Sequence, residues 1–284
     1  MIKLAAFADE ASSSLEGQIK ALKRNGIEYI ELRGINGKNI SEITVEDAKK
    51  YAKTLSASGI KVWSIGSPIG KIDIRDYSEE YKEKFRHICR LAKIFGTDKL
   101  RIFSFYKAYE YEDRVFDALC ELKEIAEREG IGLYHENEKE IYGDTVERVQ
   151  KLMNNVKGLE FVFDPANYVE VGEDTQKALD ALFDRTHYFH IKDVIASTGE
   201  LVPAGYGDGR ISELIARIPP NEYKVFTLEP HLAIFEGYTE IDNTEMKNKF
   251  HFETNDEAFD AAANALKSLL EAQGYKESNG GYIK

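Results

Sequence analysis

Glu129-Gly130-Ile131-Gly132-Leu133-Tyr134-His135-Glu136-Asn137-Glu138 is the stretch whose pattern decides the fold. Gly130 follows a helical stretch, Arg114 to Glu129, and fits the left-handed cap that closes a helix. The run from Gly132 to His135 is too short for a helix and reads as a buried strand that ends in a carboxylate, Glu136. The same order recurs on both sides. Upstream, a helix from Glu79 to Phe95 and Gly96 precede a strand from Lys99 to Phe103. Downstream, a helix from Asp144 to Met153 leads to a strand from Glu160 to Phe163, which ends in Asp164.

Extended to the whole chain, the pattern predicts further strands at Lys3 to Phe7, Tyr29 to Leu32, Lys61 to Ile65, His187 to Ile191 and Lys224 to Leu228. It predicts further helices at Leu15 to Asn25, Val45 to Ser58, Thr175 to Phe183, Ser212 to Ile218 and Asp256 to Gln273. Gly26 and Gly59 repeat the cap signal, while Ser41-Glu42-Ile43-Thr44 and Asn255-Asp256-Glu257 read as helix starts. Short strands alternating with longer helices are the signature of parallel βαβ units. Eight such units in 284 residues argue for an α/β fold closed as a (β/α)₈ TIM barrel, since closure leaves no edge strand to protect. Residues 1–284 are read as one domain. An open dinucleotide-binding sheet would need Gly-x-Gly-x-x-Gly after the first strand, where this chain has Phe7-Ala8-Asp9-Glu10. The long connection 230–254 after the eighth strand is read as a lid over the barrel mouth.

A net charge of −12 gives no global attraction to phosphate backbones or anionic membranes, and the lysines are interspersed with glutamates as on solvated helix faces. Neither nucleic acid nor membrane is expected as a partner. The N-terminal apolar run is too short for a signal peptide and no segment approaches a membrane span, so a cytoplasmic location is expected. The two cysteines, Cys89 and Cys120, lie inside apolar helical patterns and indicate neither a disulfide framework nor a thiolate metal site.

In a barrel of this kind the chemistry lies at the C-terminal strand ends. Four consecutive strands end in a potential metal ligand: Glu136, Asp164, His190 and Glu229. A single acid after a strand is usually a helix cap, and a single histidine usually a satisfied core residue. Four in succession, each about one βα unit from the next, point to a ring of ligands at one end of the barrel. Three carboxylates and an imidazole suit Mn²⁺ or Mg²⁺, and also admit Co²⁺ or Zn²⁺. Such an ion, chelated by a carbonyl and its neighbouring hydroxyl, would acidify the C–H between them and stabilise the enediolate that forms.

The motifs Glu136-Asn137, Asp164-Pro165-Ala166-Asn167, His190-Ile191-Lys192-Asp193 and Glu229-Pro230-His231 resemble those of the xylose isomerase-like barrel superfamily, the sugar-phosphate isomerase/epimerase family. Gly205-Tyr206-Gly207-Asp208-Gly209 matches a turn common in that family after strand seven, and the resemblance covers nearly the whole chain. It implies one divalent ion on Glu136, Asp164, His190 and Glu229, with Glu136 and Glu229 as the acid/base pair. It further implies a sugar, sugar phosphate or cyclitol substrate, and a homodimer, although no isolated apolar patch marks an interface in the sequence.

Five residues are substrate-binding candidates. Arg33 and Lys71 follow strands two and three and suit a phosphate, carboxylate or hydroxyl. Lys192 shares the face of His190 on an extended strand. Glu31 is either a supporting acid or an interior ion-pair partner, and His231 follows Glu229-Pro230. Phe7 and Trp63 are either an apolar wall for a sugar face or barrel core. Three rivals to an isomerase or epimerase stand beside these expectations. A lyase of the inosose dehydratase kind begins with the same proton abstraction. A sugar-binding barrel without turnover is a second. An apurinic endonuclease is disfavoured by Asn167 and Ser104, which stand where that enzyme type has further ligands, and by the acidic charge.

Overall fold

The computed structural model describes residues 1–235, 250–278 and 280–284. Its strands are β1 (Ile2–Ala6), β2 (Tyr29–Leu32), β3 (Lys61–Gly66), β4 (Lys99–Ile102), β5 (Gly132–Glu136), β6 (Glu160–Phe163), β7 (Tyr188–Ile191) and β8 (Lys224–Leu228). Each is parallel to its sequence neighbour, and β8 pairs with β1 over Ile2–Ala6 against Lys224–Leu228, which closes the barrel. The helices outside it are α1 (Leu15–Arg24), α2 (Val45–Ala57), α3 (Glu79–Phe95), α4 (Glu112–Glu129), α5 (Val146–Asn155), α6 (Thr175–Leu182), α7 (Ile211–Arg217) and α8 (Asn255–Ala272). All eight expected pairs are present, with ends within two residues of the expectation. The expected lid falls mostly on residues 236–249, which lie outside the described residues.

Local chemistry explains the boundaries. Gly96 and Gly130 end α3 and α4 at φ of 76° and 72°, a conformation that penalises any side chain with a Cβ. Thr44 starts α2 by accepting from the Asp47 amide. The last helix starts one residue earlier than its Asn255 signal implies, because Thr254 takes the cap and accepts from the Glu257 amide.

Alternation along the strands sorts side chains to two sides. Inside the barrel Ala5, Val162, Tyr188 and Val225 form a small cluster, with Tyr29, Trp63 and Tyr134 packed against it. The opposite faces of the strands, Phe189 and Phe226 among them, join the larger core beneath the helices. The β2–β3 pairing skips a residue: Ile30 faces Val62 and Glu31 faces Ser64, so Trp63 is the extra residue of a bulge. Beyond it Ser64 turns inward and its hydroxyl meets the Tyr188 hydroxyl at 3.1 Å. Trp63 stacks edge-on against Tyr188 at 5.8 Å, so it belongs to this inner core. Two hairpins (Gly34–Ile35 with Lys38–Asn39, Asp193–Ile195 with Glu200–Val202) and a short helix, Pro165–Glu170, decorate the site end. A third hairpin, Lys276–Ser278 with Gly281–Ile283, adds to β1 at Ile2.

Candidate metal centre

Glu136, Asp164, His190 and Glu229 are all buried, and one ligand atom from each lies within 4.8 Å of the others. Two carboxylates converge on one imidazole nitrogen: Glu136 Oε1 and Glu229 Oε2 are each 2.9 Å from His190 Nδ1. On the other side of the ring, Nε2 meets Glu31 Oε2 at 3.1 Å and the Tyr188 hydroxyl at 3.3 Å. Glu31 therefore backs the histidine, in the way that outer carboxylates orient metal-ligating imidazoles.

Asp164 has two employments. Oδ1 accepts from the Asn167 amide and caps the helix Pro165–Glu170, as a lone acid after a strand ordinarily does. Oδ2 is 3.4 Å from the Lys192 ammonium and accepts no hydrogen bond among the described residues. The Asn137 side chain fixes the Asp164 backbone from both sides, donating to its carbonyl and accepting from its amide, each at 2.9 Å. Lys192 donates to Asn167 Oδ1 at 2.7 Å and lies inside the ring, on the face of His190.

Arg33 is buried under the opposite rim. Its Nε and Nη2 grip Asp9 at 2.9 and 3.1 Å, Nη2 also reaches Glu10 at 3.2 Å, and Nη1 holds Glu229 Oε1 at 3.0 Å. Phe7 and Phe235 cover the guanidinium, with ring centres 4.3 and 4.9 Å from it, and Phe7 also stands edge-on to His190 at 5.1 Å. His231 takes a left-handed backbone (φ 45°), donates its amide to Glu10 at 2.8 Å, and brings Nε2 to 3.5 Å from Glu229 Oε1. Lys71 pairs with Glu138 at 3.0 Å and lies over Phe103, lining a small cavity with Arg33, Ser67 and Arg101.

Three further residues of this neighbourhood escape the sequence reading. Arg101 projects inward from β4, with Nε 3.2 Å from Glu136 Oε2. Strand alternation was the available signal, since Arg101 lies two residues before Phe103. Asp9 and Glu10 lie in a single helical turn, Ala8–Glu10, just beyond the end of β1, so the strand-end rule used for β5 to β8 finds them once it is extended by a few residues.

Burial and mutual charge set the protonation of the cluster. Burial pushes Asp164 up to about 7, against the pull of Lys192. Burial likewise pushes Glu10 up to about 8, although Arg33 opposes it. Burial would discharge His190, but Glu136, Glu31 and Glu229 outweigh it and hold the imidazole protonated well above its ordinary range. Glu229 is held well below the carboxylate range, burial being outweighed by His190. A positive charge is thus already needed where the three carboxylates meet. Together with Asp164 Oδ2, a buried acceptor with no hydrogen bond among the described residues, this donor set fits a divalent cation.

The model of the xylose isomerase-like TIM barrel family matches residues 19–269. The chain belongs to that family. No curated protein matches its sequence. Among solved structures, the IOLI protein with a bound zinc atom superposes with a TM-score of 0.72 at 17% identity, covering 95% of this chain and 99% of that one. The D-allulose 3-epimerase from Methylomonas sp., in complex with D-allulose, gives a TM-score of 0.71 at 17% identity and coverages of 95% and 96%. The probable 3-DHS dehydratase AsbF from Bacillus anthracis also gives 0.71 at 17% identity, with coverages of 94% and 99%. At this identity the likeness extends to the fold. No helix among the described residues is long and apolar enough to cross a membrane.

Proposed function

We propose that this member of the family is a divalent-metal-dependent sugar isomerase or epimerase, which removes the proton next to a carbonyl and returns it to the enediolate. The observation that carries the reading is the convergence of Glu136 and Glu229, from β5 and β8, on His190 Nδ1 at 2.9 Å each, with Asp164 Oδ2 free of hydrogen bonds beside them. Glu136, Asp164, His190 and Glu229 would hold the ion. When bound, it would serve as a Lewis acid for a substrate carbonyl and its adjacent hydroxyl.

The chain supplies the rest. Glu136 and Glu229 approach from different strands, so one removes a proton and the other delivers one, which gives an epimer when the faces are opposite. Arg33 and Arg101 each sit beside one of these glutamates, at 3.0 Å from Glu229 and 3.2 Å from Glu136, and hold its carboxylate in place. Glu31 fixes the imidazole so that Nδ1 faces the ligands. Lys192, buried against Asp164 and Asn167, is placed to donate to a substrate oxygen, Lys71 stands at the cavity wall, and His231 lies beside Glu229. The sugar held by the Methylomonas epimerase supports a ketose as the first compound to try.

A dehydratase shares the first step but then expels hydroxide, and the AsbF likeness keeps this second reading in view. The test is metal content by mass spectrometry on wild type, Glu136→Gln and His190→Ala, followed by ketose incubation in D₂O. About one ion per chain, lost in the variants, and deuterium on the carbon next to the carbonyl would support the proposal. Loss of water from the substrate would favour the lyase. A chain that takes up no Mn²⁺, Mg²⁺, Co²⁺ or Zn²⁺ sinks both.

A further inference from the structure

The described residues contain two groups with the geometry to hold a cation, and they share a carboxylate. One is Glu136, Asp164, His190 and Glu229; the other is Glu10, Glu229 and His231, likewise all buried. Glu229 faces both, with Oε2 toward His190 and Oε1 toward His231 and Arg33. A carboxylate shared by two adjoining ligand groups is the arrangement that paired metal ions use. In this chain the second group already holds a positive charge, the guanidinium of Arg33. We propose that Arg33 stands in for a second metal ion and so restricts the barrel mouth to one divalent ion.

The contacts of Arg33 are those of an ion rather than of a substrate-binding side chain. Its Nε, Nη1 and Nη2 all end on carboxylate oxygens, from Asp9, Glu10 and Glu229, at 2.9 to 3.2 Å. An arginine keeps its charge at any working pH, and its planar fork spreads that charge over several oxygens. The side chain is only 4% exposed, and Phe7 and Phe235 cover it. With Oε1 of Glu229 occupied, only Oε2 is left for the first group. Removing Arg33 would leave Asp9, Glu10 and Glu229 buried without a permanent countercharge beside a histidine, which is a ligand set for a divalent ion.

This inference rests on the proposed metal centre only for its first ion. The test is the stoichiometry of Mn²⁺ and Zn²⁺, measured by mass spectrometry after saturation and desalting, on wild type, Arg33→Ala and the volume-preserving Arg33→Met. The expected result is one ion in wild type and two in either variant, falling back to one when Glu10→Gln is added. A wild type that already binds two, one of them lost in Glu10→Gln, overturns the inference, as does a folded Arg33 variant that stays at one. If neither Arg33 variant folds, wild type and Glu10→Gln decide: one ion in each, with affinities within twofold, supports it, and a loss in Glu10→Gln overturns it. A wild type that binds none, beside an Arg33 variant that gains an ion through Glu10, would remove the proposed centre and leave this inference standing.

Discussion

Asp164 serves an ordinary structural need and, in the proposed metal centre, a chemical one as well. Its Oδ1 caps a helix and its Oδ2 faces the ligand cluster. The two employments separate by mutation. Asp164→Asn keeps a capping oxygen, so it should unfold in urea within about 0.5 kcal/mol of wild type while losing metal affinity. Asp164→Ala should lose both, with a further cost of about 1 kcal/mol for the missing cap. Glu31→Gln should weaken metal binding roughly 10- to 100-fold, because it loosens the orientation of His190, and isothermal titration with Mn²⁺ measures this. At this scale the sequence was legible where a residue is read by position alone, as with the acids and histidine after β5 to β8. It was not legible for partnership. Glu31 against His190 and Arg33 against Glu229 are contacts between strands that do not pair, joining residues about 160 and 200 positions apart, and no local pattern encodes them.

Elements were legible where glycine or a hydroxyl marks their ends. The eight strand–helix pairs follow from periodicity and caps, whereas the two- and three-residue hairpin strands are too short to show any period. The Gly205–Gly209 turn gains its explanation only from the fold. The amides of Gly205, Gly207 and Gly209 all donate to the Asp193 carboxylate at 2.8 to 3.0 Å, and a Cβ on Gly207 would lie 2.4 Å from Asp193 Oδ1. The turn is thus a backbone cradle for a carboxylate that follows β7, which positions His190 and Lys192. Asp193→Ala should cost about 2–4 kcal/mol in urea denaturation, because several charge-assisted hydrogen bonds are lost together. An unchanged midpoint would show that the turn holds itself.

For the molecule as a whole, stability depends on pH through a histidine that faces away from the site. His135 is fully buried on the outer face of β5 near Phe161, neither ring nitrogen has a hydrogen-bond partner among the described residues, and burial drives its pKa down to about 3. The unfolded chain takes up this proton near pH 6.5 and the folded one only near 3. Stability is therefore complete above about 6.5 and falls by roughly 1.4 kcal/mol per pH unit as the pH drops toward 3. Relative to wild type, His135→Leu should gain about 2 kcal/mol between pH 7 and pH 5, and denaturation at the two pH values checks it. An ion bound only by the folded chain should add about 2.7 kcal/mol at a hundredfold excess over its Kd, read from the same curves.

The bulge at Trp63 has a broader meaning. One additional residue reverses inside and outside for everything beyond it in the strand, which is how Ser64 comes to face Tyr188. The barrel strands thus carry an inside–outside reading frame. A single inserted residue within β5 or β7 would exchange Glu136 or His190 for an outward-facing neighbour and erase the ligand set. Insertions in the connecting loops leave that frame untouched, so a lineage built on this chain can vary its loops freely while the proposed ligand set stays locked to the parity of its strands.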